Sequence, residues 1–159
     1  MITNINYRGQ LAPGEIGKID FPKSMRAPVQ HVIRLRFGKM IVFRSGKFRL
    51  MGVKSRKIML NNLLKLPLLP ESIEVQSATA TGELGRALDL RLLASNLTSR
   101  RCQFEPELFP AARLLDFNPL CVNVFSSGKI IMMGVRDLDS CSTLLTNVIA
   151  VINQYTPTN

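Results

Sequence analysis

Val42-Phe43-Arg44-Ser45-Gly46-Lys47 returns 82 residues later as Val124-Phe125-Ser126-Ser127-Gly128-Lys129, and this echo restricts the fold more than any other feature of the chain. Laying residues 40–54 over 122–136 gives eight identities in fifteen positions, ending in Met51-Gly52-Val53 and Met133-Gly134-Val135. In a chain of 159 residues, such an offset means two copies of one supersecondary unit. Each copy runs apolar, then Ser-Gly-Lys, then apolar again, the pattern of a β-hairpin with glycine at its turn.

Alternation along a strand assigns the faces. Met40, Val42, Phe48 and Leu50 share one face of the first hairpin, and Ile41, Phe43, Arg49 and Met51 the other. The second copy divides into Val122, Val124, Ile130, Met132 and Asn123, Phe125, Ile131, Met133. Both faces are largely apolar, so both need cover. Helices supply one layer. The other face has no obvious cover within the chain, which points to a ligand or partner.

The remaining sequence is read around these hairpins. Residues 2–8 alternate as a strand, and Gly9 to Ile19 reads as loop. Asp20 is placed to cap a short helix through Met25, and Gln30 to Phe37 resumes as a strand. Lys54 to Leu66 has helical spacing and ends at Pro67 and Pro70, the link between a first repeat (1–70) and a second (71–159). Ile73 to Thr79 reads as a strand, Gly82 and Gly85 as a turn, and Ala87 to Ala94 as a helix. Phe104 to Pro110 is an acidic, proline-bounded loop. Arg113 to Phe117, Leu120 to Phe125 and Lys129 to Val135 read as strands. Leu138, Cys141, Leu145, Val148 and Ile152 form an apolar helical stripe, for which Asp137 or Asp139 would be the cap.

Charge divides unevenly. Residues 1–70 hold 14 Lys/Arg against Glu15 and Asp20, a net of +12, and residues 71–159 hold 7 against 9, a net of −2. A basic half suits a polyanion and an acidic half a protein partner. Cys102, Cys121 and Cys141 have no metal-binding spacing and read as free thiols. His31 is the single histidine, so a His-based triad or a zinc site has little to be built from. These features predict no enzyme, no metal and no cofactor. No run of eighteen apolar residues and no signal segment appears, which predicts a soluble intracellular protein without membrane partners.

Four stretches, taken together, resemble the TATA-box-binding protein family over nearly the whole chain. They are Ile2-Thr-Asn-Ile; Phe43-Arg-Ser-Gly-Lys with Met51-Gly-Val-Lys54; Phe104-Glu-Pro-Glu-Leu-Phe-Pro110; and Phe125-Ser-Ser-Gly-Lys with Met133-Gly-Val-Arg136. The resemblance implies an α+β fold in which two pseudo-symmetric repeats form a saddle-shaped, ten-stranded antiparallel sheet. Helices lie on its convex face, and the concave face opens the minor groove of A·T-rich double-stranded DNA. There phenylalanine wedges kink the duplex, and lysine and arginine meet the phosphates.

By that resemblance Phe43 and Phe125 match one wedge in each half, and Phe109 the second wedge of the second half. The counterpart of Phe109 falls near Arg26-Ala27-Pro28, where there is no phenylalanine. Asn4 matches a central groove-contacting asparagine, whereas the other falls near Glu74, whose carboxylate would repel acceptor atoms. Met51 and Met133 stand where groove-facing threonines are expected, and Arg49 replaces a valine; Ile41 and Ile131 share this face. Asn6 and Gln76 take the places of small apolar residues. Lys47, Lys54, Lys129 and Arg136 match phosphate-side positions. Glu105, Glu107 and Leu108 match the stirrup loop that docks a TFIIB-like initiation factor.

Two functions are consistent with these residues. One is a transcription initiation factor that binds and bends promoter DNA and recruits a TFIIB-like factor and the RNA polymerase machinery. The other is a protein-interaction module of the same fold that captures a TFIIB-like factor without sequence-specific DNA binding. A simpler alternative for Phe43 and Phe125, packing within the hairpins, stays open. So does a homodimer formed through the concave face. The chain reads as minimal, without an N-terminal extension, and its departures suit a factor encoded by a large DNA virus, acting in the nucleus or in a cytoplasmic viral factory.

Overall fold

The computed structural model describes residues 1–21 and 30–157. The short helix expected from Asp20 to Met25, and the Arg26-Ala27-Pro28 position, fall largely or wholly outside them. Among the described residues there are nine strands and three α-helices. They fall into two compact units, Asn4–Ala78 and Met1–Thr3 with Thr79–Asn159.

In the first unit, β1 (Ile2–Leu11) contributes from Asn4 onward, followed by β2 (Gln30–Arg34), β3 (Lys39–Phe43), β4 (Lys47–Val53), α1 (Arg56–Leu64) and the start of β5 (Pro70–Glu83). The strand order is β2-β3-β4-β1-β5, and β1 and β2 to β4 pair antiparallel. In the second unit the end of β5 is followed by α2 (Leu90–Leu97), β6 (Cys102–Gln103), β7 (Ala111–Leu114), β8 (Cys121–Phe125), β9 (Lys129–Val135) and α3 (Cys141–Tyr155). Its order, β5-β9-β8-β7-β6, repeats the first plan with β6 added at the edge. In both units a three-stranded meander folds back so that its last strand lies beside the opening strand.

The duplication extends to single hydrogen bonds. Leu11 N donates to Gly46 O and Leu84 N to Gly128 O, each at 2.9 Å, tying the end of the opening strand to the Ser-Gly-Lys turn. These partners are 73 residues apart at the strand and 82 at the turn, so the second copy has nine extra residues between them. That interval is where α2 and β6 lie. Gly46, Gly52, Gly128 and Gly134 all have positive φ, two at the turns and two within β4 and β9. The register between β1 and β4 slips between Ile5↔Val53 and Tyr7↔Leu50, one extra residue on β4. Glycine at Gly52 suits that bulge, which explains why Met-Gly-Val is part of the echo.

The core lies on one face of each unit. Met40, Val42, Phe48, Leu50, Val53, Ile5 and Tyr7 are buried in the first, with Met59 of α1. Val122, Val124, Ile130, Met132, Leu114, Leu93, Leu97, Val148 and Ile152 are buried in the second. The predicted division of the hairpin faces therefore holds. Burial pushes the Tyr7 phenol up, although Arg56 acts in the opposite direction. Ser55 caps α1 by accepting from Ile58 N, and Asn62 Nδ2 reaches Phe37 O at 2.9 Å, fastening the helix beside β2 and β3.

Several local expectations are corrected. Gly9 lies within β1 rather than opening a loop, and β5 runs through Gly82 rather than turning there. A Cβ at Gly82 would fall 2.4 Å from Leu145 Cδ1, so this glycine admits α3 close to the strand. The strand predicted from Arg113 to Phe117 ends at Leu114 and tightens into a 3-10 turn. Helix α3 begins at Cys141 with Ser140 as its N-cap residue, not at Leu138. Asp137 Oδ1 accepts instead from Asp139 N, and Leu138 is buried ahead of the helix. All three cysteines are free thiols, and burial raises the pKa of Cys102 and Cys141.

A titratable clasp closes the first unit. Buried Glu15 accepts from Lys18 Nζ at 2.8 and 3.0 Å and from Leu69 N at 3.1 Å. These bonds, led by that of Lys18, hold its carboxyl below the usual range. A depressed carboxyl contributes stability above its unfolded pKa and loses it as pH falls through the folded value. Glu15→Gln should therefore lower the melting temperature at pH 7, and the deficit should disappear as the solution is acidified below the ordinary carboxylate range.

Candidate nucleic-acid interface

The face of the first unit opposite the core is assembled by strand register. Gln30 pairs with Phe43, Val32 with Ile41 and Arg34 with Lys39 across β2 and β3. Ile41 lies opposite Arg49 across β3 and β4, and Arg49 opposite Arg8 across β4 and β1. Ile41, Phe43 and Met51 are half-buried, and Arg8, Arg34, Lys39, Lys47 and Arg49 are exposed. The outcome is an apolar strip, broken by no buried cation, among five positive side chains. Asn4-Ile5-Asn6 alternates so that both asparagines are on this side, with Asn4, Asn6 and Met51 lining one hollow. The Asn4 and Asn6 Oδ1 atoms are buried without a hydrogen-bond partner among the described residues.

Beside Phe43 the face sinks into a cleft of about 620 Å³, whose walls include Arg8, Phe43, Lys47, Arg49, Glu74 and Gln76. Glu74 is not free in it. Arg8 Nε donates to Glu74 Oε1 at 2.7 Å, with both side chains more than half exposed. Gly9 permits this floor: a Cβ there would lie 2.2 Å from Ser72 O and 2.5 Å from the Phe48 ring.

In the second unit the corresponding face carries Ala111 opposite Phe125, Arg113 opposite Asn123, Asn123 opposite Ile131, and Cys121 opposite Met133. Phe125 and Ile131 are half-buried, and Met133, Lys129, Arg113 and Arg136 are exposed. Ala111 and Asn123 are the buried residues of this group. Phe109, exposed at the end of its loop, meets the Phe125 ring edge-on with centroids 6.1 Å apart and an interplanar angle of 66°. The structure thus brings Phe109 and Phe125 together, as a pair, on the open side. Lys47 and Lys129 follow the two turns, and Lys54 and Arg136 are exposed just beyond β4 and β9.

The Phe104–Pro110 loop joins β6 to β7. Leu108 N and Phe109 N both donate to Glu105 O at 2.9 Å, making a tight turn that presents Glu105, Glu107 and Leu108 to solvent. Leu108 is 79% exposed. Glu105 Oε1 also accepts from Gln103 Nε2 at 2.9 Å.

Sequence reasoning missed Arg8, Arg34, Lys39 and Arg113 on these faces. The two-residue period already held the signal for Arg8, which is in step with Asn4 and Asn6. Excess charge concentrates where Arg8, Arg34 and Lys39 lie: Asn4–Ala78 has 14 Lys/Arg and four Asp/Glu, net +10, and the other unit, with Arg113, has seven of each. Among the described residues no cluster of three His, Cys, Asp or Glu side chains could hold a metal ion, and no helix is long and apolar enough to cross a membrane. His31 packs edge-on against Phe21.

These features define a duplicated α+β protein whose offered surface is a strand face rather than an enclosed cavity. Residues 72–155 match the family model described as transcription factor TFIID, or TATA-binding protein. TATA-box-binding protein 2 of Haloferax volcanii is 32% identical, over 71% of this chain and 67% of its own. The TATA-box-binding protein of Pyrococcus furiosus is 27% identical, over 98% of this chain and 78% of its own. A solved Methanococcus jannaschii TBP superposes with a TM-score of 0.76 at 24% identity, covering 96% of this chain and 97% of that one, and so shares the fold. The chain belongs to the TATA-binding-protein family of transcription factors.

Proposed function

We propose that this chain is a transcription initiation factor that grips the minor groove of A·T-rich double-stranded DNA with its open strand faces and bends it. The single observation that carries this reading is the half-buried state of Phe43 and Phe125 on faces that no described helix covers. Apolar side chains at that exposure can enter an unstacked base step, and the cations around Phe43 suit the flanking phosphates. Arg49 and Lys47 are the foremost phosphate ligands of the first unit, with Lys54 beyond them. Lys129 and Arg136 serve the second. The relatives' names supply the target: they are TATA-box-binding proteins.

A second reading rests on the exposed Glu105-Pro106-Glu107-Leu108 turn. Two carboxylates and a leucine held out by a tight turn suit a basic, partly apolar partner surface. We assign that role to a TFIIB-like factor, which joins the RNA polymerase machinery to the complex. The two readings are compatible unless DNA binding fails.

A fluorescence-anisotropy titration against end-labelled A·T-rich and G·C-rich duplexes over a salt series tests the first. Lys47, Arg49, Lys54, Lys129 and Arg136, all five engaged with phosphate, predict a log–log salt slope of about −4.5. Preference for the A·T-rich duplex with a bending signal is the expected result. Equal, steeply salt-dependent binding to both duplexes leaves only phosphate attraction. Absence of binding at physiological salt removes the promoter role and leaves the Glu105–Leu108 turn as the functional centre.

A further inference from the structure

We propose that Glu74 reads the exocyclic amino group of a guanine in the minor groove, so that the preferred duplex has one G·C pair within an A·T-rich site. The inference rests on the minor-groove reading above and specifies what one position of that site recognises. An ionised carboxylate can only accept hydrogen bonds. In the minor groove, A·T and T·A pairs present acceptors alone, and the N2 amino group of guanine is the one donor on offer. Against adenine N3 or thymine O2, Glu74 meets repulsion; against guanine N2 it forms a charge-assisted bond.

The structure places and prepares Glu74 for this. It lines the same cleft as Phe43 and Arg49, the cleft's sole carboxylate among the described residues. Arg8 donates to Oε1 alone, which orients the side chain and leaves Oε2 without a protein donor among the described residues. An ion pair this exposed, 61% and 64%, adds little to stability, so fold maintenance does not account for it. Arg8 also cancels the charge that would otherwise repel the phosphates. Gln76, two residues along β5 in the same cleft, carries an amide that donates and accepts and is indifferent to the base pair. Glu74 therefore discriminates where Gln76 tolerates.

The test uses the intact chain and an A·T-rich duplex in which one G·C pair is moved through the site. At each position guanine is compared with inosine, which lacks only the N2 amino group. The expected result is one position where guanine binds about tenfold more tightly than inosine. There, 2-aminoadenine opposite thymine should recover the gain. Glu74→Gln and Glu74→Ala should each reduce the guanine-to-inosine ratio to within about twofold. They should also raise affinity for the all-A·T duplex, since the repulsion between the carboxylate and adenine N3 or thymine O2 is removed and Arg8 is released. Guanine and inosine binding alike at every position, or a ratio that survives both substitutions, overturns the assignment while leaving minor-groove binding intact. Absence of binding to every duplex at 50 mM salt overturns the DNA reading itself, and this inference with it.

Discussion

Phe43→Ala and Phe125→Ala should each abolish the bending signal on an A·T-rich duplex while leaving the protein folded. Unstacking a base step takes a few kcal/mol, recovered when an apolar wedge fills the gap and the bent duplex wraps more protein. Without the ring neither gain is available, and affinity for the duplex should fall by about ten- to a hundredfold. The fold is spared because both rings lie half-buried on the open faces, away from the core. Phe125→Ala carries an additional loss of about 0.5–1.5 kcal/mol from its edge-on contact with Phe109. Phe48→Ala is the internal contrast. That ring is 1% exposed on the core face, and its removal should destabilise the chain by about 3–5 kcal/mol. End-labelled duplexes report the bend, and urea denaturation the stability. A bend that persists in both open-face variants would remove the wedge role and leave hairpin packing as their explanation.

The two Ser-Gly-Lys turns should respond unequally to one substitution. Gly46 and Gly128 share a left-handed φ, +79° and +86°, so alanine costs about 1–2 kcal/mol at either. Their surroundings differ. A Cβ at Gly46 meets the amide end of Gln10, a flexible side chain that can swing away. A Cβ at Gly128 falls 2.1 Å from Arg86 O, a backbone atom, with Leu84 Cβ behind it at 3.5 Å. Arg86 cannot retreat easily: its guanidinium donates to Asn153 Oδ1 and to Thr156 O at the end of α3. Adding about 1–3 kcal/mol of overpacking brings Gly128→Ala to about 2–5 kcal/mol, against about 1–2 for Gly46→Ala. Equal losses in urea denaturation would contradict this account.

How far the sequence could be read depended on the range of the interaction. Strand alternation within the hairpins depends on neighbours, and it placed Met40, Val42, Phe48 and Leu50 in the core and Phe43 on the open side. The 3.6-residue stripe from Leu145 to Ile152 found α3 for the same reason. Gly82 misled because glycine marks both turns and close approaches, and only the distant Leu145 distinguishes them. Residues 137–140 misled because two aspartates compete for a cap that Ser140 occupies. Strand β6, two residues long, has too little pattern to announce itself. Glu74 read as a simple repulsive group because its partner, Arg8, is 66 residues away. No local rule joins them. Phe109 and Phe125 were identified through the family motif, but their mutual contact emerged only from the fold.

The unequal charge of the two units has a kinetic consequence. A body with its whole excess charge in one unit experiences a torque as well as an attraction near a polyanion, and both act before any groove contact forms. On the DNA reading, Asn4–Ala78 lands first, held by counterion release that is indifferent to sequence. The neutral unit follows, free to sample base steps while its neighbour keeps the chain tethered. Association is thereby divided into capture and inspection, and added salt should slow the first without altering the second.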